Sequence, residues 1–281
     1  MHTDDFSGAT LVVLGHGTGL NPHSAEPARR LADGLRQRGG FRAVREAYWK
    51  QAPQIRDVMV ELGPGRTFIV PLFISEGYFA CEIIPAELGF GRPPARLTRT
   101  DGERFYCLPV GTHERMTEVV QARAAEIVRQ FPFPRAPRPA EVSLFIAGHG
   151  TGRNADSRKA VEWQADRLRE RGEFASVTAV FMEEEPRIAD CYALAPARHV
   201  VVVPYFISDG LHAVEDIPVL LGELPETVRE RLAAGVPTWR NPTERHGKLV
   251  WYASAVGTAP QLMEVILDRV RETARWFAAS S

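Results

Sequence analysis

The sequence has few cysteines and no long apolar segment. Its three cysteines, Cys81, Cys107 and Cys191, are far apart in a chain of 281 residues and form no CxxC pair. This spacing indicates buried, reduced thiols rather than a zinc site or an iron–sulfur cluster. No apolar run approaches the ~20 residues that span a bilayer, and the opening MHTDDFSGAT is too acidic and polar for a secretory signal. We therefore expect a cytoplasmic protein with no membrane partner.

The sequence also lacks an excess of either charge. Lysine and arginine total 34 residues against 35 aspartate and glutamate, for a net charge of −1. No field of the whole chain would attract nucleic acid, so any basic site must be a local patch. Hydrophobic residues make up 44% and charged residues 25%, which is ordinary for a globular protein with enough material for two domains. We expect no nucleic-acid partner, and a monomer or weak homodimer.

What the sequence does contain is an internal repeat. The segment LVVLGHGTGLNPHS (11–24) matches LFIAGHGTGRNADS (144–157), and VPLFISEGYFACEIIPAELG (70–89) matches VPYFISDGLHAVEDIPVLLG (203–222), both at an offset of 133 residues. Later, YCLPVGT (106–112) pairs with YASAVGT (252–258), so the second half has an insertion, within PETVRERLAAGVPTWRNPTERHGK. The proline-rich FPFPRAPRPA is a stiff connector. We predict domains at 1–131 and 141–281, joined by a linker at 132–140.

Each half alternates strand and helix patterns. Short β-branched runs such as ATLVVLG and RHVVVVPYF are typical of strands buried on both faces, and helical patterns such as SRKAVEWQADRLRER lie between them. This alternation predicts an α/β fold: two tandem-repeat, doubly wound domains, each with a mainly parallel four-stranded sheet flanked by helices. Ligands of such sheets bind beyond the carboxyl ends of the strands. Both repeated motifs, GHGTG and FISxG, follow predicted strands.

Two histidines of the second half follow strands. His149 lies in a Gly-His-Gly turn, and His212 precedes Glu215 and Asp216 by three and four residues, so one helix face would carry all three. Imidazole with carboxylate suits Co²⁺, Fe²⁺, Ni²⁺ or Zn²⁺. The alternatives are a histidine that only completes a turn and an ordinary solvated helix face. His16 has the same glycine frame in the first half.

Three further candidate positions can be compared between the two repeats, and the residue is exchanged at some of them and retained at others. Glu184 lies in FMEEEP, which aligns with YWKQAP, and is either a carboxylate at the rim of the site or part of a solvated turn. Glu82 is the counterpart of Glu215 and could reach the histidines if the two halves face each other; otherwise it is a surface residue. Phe79 replaces His212 in the first half, among other aromatic residues.

The two motifs resemble those of a known family. AGHGTGRNADS is similar to the GHGSR-type opening of the class II tetrapyrrole chelatases, and VPYFISDGLHAVEDIP resembles their segment that carries a histidine before Asp-Ile-Pro. The resemblance covers nearly the whole chain. It implies a two-domain chelatase-like fold in which two histidines, often with a glutamate, pass Co²⁺, Fe²⁺ or Ni²⁺ to a tetrapyrrole held in a cleft.

The resemblance assigns roles to individual residues. It implies His149 and His212 as the catalytic residues and metal ligands. The first half matches only at His16, because Phe79 stands at the second position. Further metal candidates are Glu82, Glu184 and Glu215, and candidates for binding the ring and its carboxylates are His16, Phe79, Thr151, Arg153, Asn154, Ser208 and Gly210.

The implied function is insertion of Co²⁺ or Fe²⁺, with Ni²⁺ as a further candidate, into a carboxylated tetrapyrrole such as sirohydrochlorin, in cobalamin or siroheme-type biosynthesis. The metal is a substrate, and neither a nucleotide nor an iron–sulfur cluster is expected. The alternative is a non-catalytic metal- or tetrapyrrole-binding protein derived from a chelatase. A phosphoryl-transfer histidine enzyme is disfavoured, because Arg153 is the only arginine in AGHGTGRN that could clamp a phosphate beside His149.

Overall fold

The structure is a computed structural model that describes residues 5–18, 24–150 and 155–279. The chain forms two compact units. Unit 1 comprises Met1–His113 together with Pro260–Ser281, and unit 2 comprises Glu114–Ala259. In the part of the chain that the structure describes, no helix has the length and apolar character needed to cross a membrane.

Unit 1 is built on a five-stranded sheet with the order β2-β1-β3-β5-β4. Four strands are parallel, and β4 pairs antiparallel with β5 at the edge. The strands are β1 (Thr10–Gly15), β2 (Ala43–Tyr48), β3 (Thr67–Pro71), β4 (Ala95–Arg99) and β5 (Gly102–Tyr106). The helices are α1 (Glu26–Arg38), α2 (Ile55–Glu61), a first π-helix (Phe79–Ile83) that runs into α3 (Ile84–Glu87), and α9 (Leu262–Ala279).

Unit 2 repeats this plan, with the strand order β7-β6-β8-β10-β9. Its strands are β6 (Val142–Gly148), β7 (Ser176–Phe181), β8 (His199–Pro204), β9 (Thr243–Arg245) and β10 (Lys248–Tyr252). Its helices are α4 (Met116–Gln130), α5 (Ala155–Arg171), α6 (Cys191–Leu194), a second π-helix (His212–Asp216) that runs into α7 (Ile217–Leu220), and α8 (Pro225–Ala233).

The α/β fold with two mainly parallel, helix-flanked sheets is confirmed, but each sheet has five strands rather than four. The fifth strand is the antiparallel edge strand β4 or β9. These strands are short and polar, ARLTR and TER, as edge strands often are. They therefore lack the apolar pattern that marks β1 and β6, in which every residue is buried. The insertion predicted in the second half contains α8.

The last helix of each repeat belongs to the unit that is built from the other repeat. Helix α4 follows the first repeat in sequence but is part of unit 2, and α9 ends the second repeat but is part of unit 1. The chain thus passes between units after His113 and again after Ala259. The boundaries predicted at 131 and 141 divide the sequence repeats, whereas the compact units divide elsewhere because packing, not repeat order, groups the helices.

The three cysteines are buried and none forms a disulfide. Burial raises the pKa of the Cys107 and Cys191 thiols to about 12. A thiol with such a pKa is almost fully protonated at neutral pH and is a poor metal ligand. This matches the expectation of inert, reduced thiols.

Candidate metal centre

The turn that carries His149 requires glycine on both sides. A Cβ on Gly148 would lie 2.7 Å from Cγ2 of Val161, and a Cβ on Gly150 would lie 2.7 Å from Cβ of Phe181. Gly150 also has a φ of +62°, which L-residues with a side chain rarely adopt. The two glycines therefore let the chain turn sharply against β7 and leave the imidazole as the only side chain at the tip.

Backbone hydrogen bonds place Glu183 next to His149. The amides of Met182 and Glu183 donate to the His149 carbonyl at 3.1 and 3.2 Å. Oε1 of Glu183 lies 3.9 Å from Nε2 of His149. Glu184, the predicted ligand, instead forms an ion pair with Arg158 at 3.1 Å. Within the triple glutamate, the geometry therefore favours Glu183 over the predicted Glu184 as the carboxylate nearest His149.

His212 begins the second π-helix. The Gly210 carbonyl accepts hydrogen bonds from the amides of Ala213 and Val214 at 2.9 and 3.0 Å. The hydroxyl of the buried Tyr252 donates to the Ala213 carbonyl at 2.6 Å. The wider π-turn changes the direction in which successive side chains leave the helix, and such turns are frequent at functional sites. Here the π-helix begins at His212, whose ring centroid lies 5.0 Å from that of His149.

Asp216 sets the tautomer of His212. Nδ1 of His212 lies 2.6 Å from Oδ2 of Asp216, and because a carboxylate only accepts hydrogen bonds, Nδ1 must carry the proton. The lone pair of the ring is then on Nε2, which is free to bind a metal. Metal-binding histidines commonly have such a carboxylate behind them, where it orients the ring and raises its basicity. Asp216 is therefore an orienting group rather than a ligand.

The two imidazoles meet edge to face. Their centroids are 5.0 Å apart with an interplanar angle of 84°, and the side chains of His149 and His212 are 34% and 51% exposed. The 3.9 Å between His149 and Glu183 is too long for a hydrogen bond. It is shorter than two metal–ligand bonds of about 2.1 Å placed end to end, so one ion can contact both groups.

The site is not a closed cage of ligands. Within the described ranges, no group of three or more His, Cys, Asp or Glu side chains is arranged to hold a metal ion. Nδ1 of His149 is enclosed and has no hydrogen-bond partner among the described residues. Two imidazoles with a nearby carboxylate form an open arrangement that can accept an ion and release it, unlike the four-ligand sites that lock zinc in place.

The structure describes some of the other predicted site residues of the second half, and others lie outside the described ranges. Glu215 is partly exposed on the second π-helix, and Ser208 and Gly210 lie in the loop before it. Thr151, Arg153 and Asn154 lie outside the described residues.

A buried arginine supports the loop that leads to His212. Arg123 of α4 is 7% exposed and donates to the Ala255 carbonyl at 3.3 Å and to Oγ1 of Thr258 at 2.6 Å. Asp209 accepts from the Ala255 amide at 2.7 Å and from the Thr258 hydroxyl at 3.3 Å. This network ties Asp209, three residues before His212, to the body of unit 2.

Sequence reasoning missed this network, although a signal was present. Arg123 and Glu126 recur as Arg269 and Glu272 at the offset of 146 that also relates YCLPVGT to YASAVGT. In unit 1, Arg269 donates to the Pro109 carbonyl at 3.0 Å and to the Thr112 hydroxyl at 2.9 Å.

Unit 1 has the same backbone frame but different side chains. The Lys50 amide donates to the His16 carbonyl at 2.9 Å, as Glu183 does to His149, so Lys50 occupies the place of Glu183. Phe79 and Ile83 replace His212 and Asp216 on the first π-helix. Glu82 is retained there and is exposed.

In unit 1, side chains shared with unit 2 and side chains exchanged between the units together form an aromatic cluster, which we define as His16, Trp49, Phe73, Tyr78 and Phe79. The His16 centroid lies 5.4, 6.3 and 6.4 Å from those of Trp49, Phe73 and Phe79. Nδ1 of His16 lies 2.7 Å from the Gly17 carbonyl. The pair of opposed imidazoles is thus a feature of unit 2, and the sequence asymmetry between the repeats becomes an asymmetry of side-chain chemistry.

A family model described as CbiX matches this chain twice, at residues 10–127 and 143–273. The chain belongs to the CbiX family. The two matches together cover most of the sequence, and each contains one copy of both repeated motifs. The resemblance found in the sequence is confirmed.

Several known proteins are similar to this chain in sequence or in fold. A protein of Halobacterium salinarum named "Probable sirohydrochlorin cobaltochelatase" is 40% identical in an alignment of 277 positions that covers 93% of this chain and 90% of that protein. A multi-domain Deinococcus radiodurans protein, described as structurally similar to chelatases, has a TM-score of 0.75 at 28% identity over 94% of this chain. This chain spans about half of that protein, 54%. SirB from Bacillus subtilis with Fe³⁺ shares the fold, with a TM-score of 0.66 at 20% identity over 97% of this chain and 98% of SirB.

Proposed function

We propose that this CbiX family member inserts a divalent metal ion into sirohydrochlorin, in cobalamin or siroheme-type biosynthesis. The observation that carries the proposal is the opposed pair His149 and His212, with one ring oriented by Asp216. The name of the Halobacterium relative supports sirohydrochlorin as the tetrapyrrole and Co²⁺ as the first ion to test. Fe²⁺ and Ni²⁺ suit the same ligands, and the reaction would take place in the cytoplasm without a nucleotide.

The metal must be held but not locked. In the proposed mechanism the ion binds to His212 through Nε2 and to His149, and Glu183 contacts the ion from the side of His149. The remaining coordination positions stay open to water and then to the ring nitrogens. Since two or three protein ligands leave such positions free, the ion can be exchanged onto the macrocycle in steps.

The ring must also lose two protons. A divalent ion replaces the two N–H protons of the macrocycle, so the ring keeps its net charge and two protons are released. Glu183 is 57% exposed, and it can accept a proton near the ion and pass it to solvent. As nitrogen–metal bonds form, the imidazoles are released from the ion and can accept the second proton.

The ring needs contacts to its plane and its carboxylates. We propose Arg153, whose guanidinium can form a two-pronged bond with a carboxylate. Further candidates on the chain that follows His149 or precedes His212 are Thr151, Asn154, Ser208 and Gly210. Glu215 is a candidate further ligand from the second π-helix, and Glu82, His16 and Phe79 are candidates contributed by unit 1.

The experiment is an insertion assay with matched histidine variants. Sirohydrochlorin and Co²⁺ are mixed with the protein, and insertion is followed by the change in absorbance of the macrocycle. We expect His149→Ala and His212→Ala each to abolish acceleration over the uncatalysed rate. His16→Ala is the matched control, because His16 has the same glycine frame, and its effect should be milder.

Two results would contradict the proposal. An equal loss in His16→Ala would show that unit 2 does not dominate. Tight Co²⁺ binding by the wild-type protein, with no acceleration for Co²⁺, Fe²⁺ or Ni²⁺, would indicate instead a non-catalytic metal- or tetrapyrrole-binding protein.

A further inference from the structure

Unit 1 exposes an aromatic ring at the position where unit 2 carries His212. Phe79 occupies the position of His212 and is 47% exposed, and Tyr78 beside it is 57% exposed. The Phe79 centroid lies 5.0 Å from that of Trp49 and 5.9 Å from that of Tyr78. Contiguous exposed apolar surface at the carboxyl ends of parallel strands is a common place for a ligand.

Contacts among its own rings and with Glu87 fix the aromatic cluster in place. Trp49 Nε1 donates to Oε2 of Glu87 at 3.1 Å, and this hydrogen bond is the main reason why the pKa of Glu87 lies below its usual range. His16 packs edge-on against the Trp49 and Phe79 rings, with interplanar angles of 79° in both cases. A ring fixed in this way loses little side-chain entropy when a ligand stacks on it.

Cations lie at the edge of the aromatic cluster. Lys50 Nζ is 3.6 Å from the centroid of Trp49, which is cation–π distance. A cavity of about 240 Å³ adjoins this pair and is lined by Trp49, Lys50, Gln54, Ile55, Arg56 and Glu87. Its one carboxylate, Glu87, is paired with Arg56 at 3.1 Å. The charge of Lys50 makes the lining positive and suited to an anionic group.

The same positions no longer suit a metal ion. Lys50 puts a positive charge where unit 2 has Glu183, and Phe79 removes the second imidazole. Ile83 removes the carboxylate that orients that imidazole in unit 2. These exchanges replace ligands with flat apolar faces and one cation, which is the chemistry that recognises an aromatic anion.

We infer that the aromatic cluster of unit 1 is a metal-free binding site for the face of a conjugated macrocycle that bears carboxylates. Phe79, Tyr78 and Trp49 stack on the macrocycle, and Lys50 pairs with one of its peripheral carboxylates. The inference rests on the proposed function for the identity of the macrocycle as sirohydrochlorin. It adds that macrocycle binding depends on residues of unit 1 that take no part in metal binding.

The test separates the two kinds of binding in the full-length protein. Metal-free sirohydrochlorin is titrated into protein without metal, and binding is followed by its absorbance; Co²⁺ affinity is measured separately by calorimetry. Trp49→Ala and Phe79→Ala should each raise the macrocycle Kd about 5- to 50-fold, the range for loss of an aromatic stacking partner. Lys50→Ala should raise it a few-fold and reduce its salt dependence. Co²⁺ affinity should not change in any of these variants.

Trp163→Ala is the matched control. Trp163 lies on α5 in unit 2, is 38% exposed and carries Arg167 at 5.1 Å over its ring, much as Trp49 carries Lys50. Its loss should leave macrocycle affinity unchanged. Tyr78→Ala is a second probe if Trp49→Ala does not fold, because Tyr78 is more than half exposed.

The outcomes distinguish this inference from the proposed function. Unchanged macrocycle affinity in Trp49→Ala and Phe79→Ala, or an equal loss in Trp163→Ala, would overturn the inference. If His149→Ala loses Co²⁺ binding but keeps macrocycle binding, the separation of the two sites is supported. If the wild-type protein does not catalyse insertion but its macrocycle affinity depends on Trp49 and Phe79, the proposed function fails and the inference stands.

Discussion

Replacing Arg123 by leucine should weaken metal binding, although its guanidinium lies behind the loop that leads to His212 rather than among the candidate ligands. Arg123 bonds to the Ala255 carbonyl and the Thr258 hydroxyl, and Thr258 in turn bonds to Asp209. Without the guanidinium, the loop that ends at His212 loses its connection to α4. Because His212 directly follows this loop, a less constrained loop should let the His212 imidazole sample a wider range of orientations.

The magnitude follows from the bonds that are lost. Arg123 makes two hydrogen bonds to neutral acceptors and a 2.7 Å ion pair with Glu126, whose side chain is 55% exposed. At about 1 kcal/mol for each neutral bond, and less for a half-exposed pair, the variant should lose about 2–4 kcal/mol of unfolding free energy once the unsatisfied partners are included. Loss of groups that orient a ligand lowers metal affinity 10- to 100-fold. Because Arg123 acts through two intermediates, we expect about tenfold.

The chain supplies a matched control in Arg269→Leu. Arg269 bonds to Pro109, Thr112 and Glu272 in unit 1, with the same atoms in the same roles, and it is equally buried, at 5% against 7% for Arg123. Both variants should lose similar stability in urea denaturation. Only Arg123→Leu should show weaker Co²⁺ binding by calorimetry. Equal losses of Co²⁺ affinity in the two variants would refute the reasoning. So would unchanged Co²⁺ affinity in both variants when both lose the same stability.

Three further predictions concern the carboxylate beside His149, the metal-binding capacity of unit 1 and the ionisation of Glu272. Glu183→Gln should weaken Co²⁺ binding about tenfold or more, because it removes one charged group from the site. Glu184→Gln should leave Co²⁺ affinity unchanged. If calorimetry shows the larger loss of affinity in Glu184→Gln, Glu184 is the ligand instead. Phe79→His combined with Ile83→Asp should raise the Co²⁺ stoichiometry from one to two, and a stoichiometry that stays at one would show that the frame of unit 1 cannot hold an ion. Burial opposes ionisation of Glu272, but the hydrogen bond from His113 and the charge of Arg269 outweigh it and hold the pKa of this carboxyl below its usual range. Ionised Glu272 therefore stabilises the fold above the ordinary carboxyl pKa of about 4, and this stabilisation is lost as the pH falls through the lower pKa of the folded state. Glu272→Gln should accordingly reduce the loss of unfolding free energy at acid pH, the acid limb, when stability is measured by urea denaturation between pH 2 and 7. An unchanged acid limb would contradict this assignment.

The central features of the site could be predicted because they depend on local sequence. Glycines on both sides of His149 and the position of His212 after a strand are properties of short segments, and the fold supplies the rest by bringing strand ends together. The repeat added the contrast between His212 and Phe79. This contrast in the sequence already indicates that the two units differ in side-chain chemistry.

The features that sequence reasoning missed depend on exact directions or on packing. A triple glutamate does not reveal which side chain faces the histidine, because these residues form bends after β7 and follow no regular side-chain period. The backbone bonds to the His149 carbonyl and the ion pair between Glu184 and Arg158 favour Glu183. Likewise, the spacing of His212 and Asp216 suggested two ligands, and only the 2.6 Å bond between them identifies Asp216 as the orienting group.

The exchange of α4 and α9 between the units limits how this gene can be dissected. A cut at the proline-rich segment would yield two fragments, each with a sheet whose covering helix is on the other fragment. In α9 the side chains of Leu262, Val265, Ile266 and Val270 are fully buried, so their partners in unit 1 would be left open to solvent. A circular permutation that starts at Pro260 and fuses Ser281 to Met1 would instead encode unit 1 as one uninterrupted stretch.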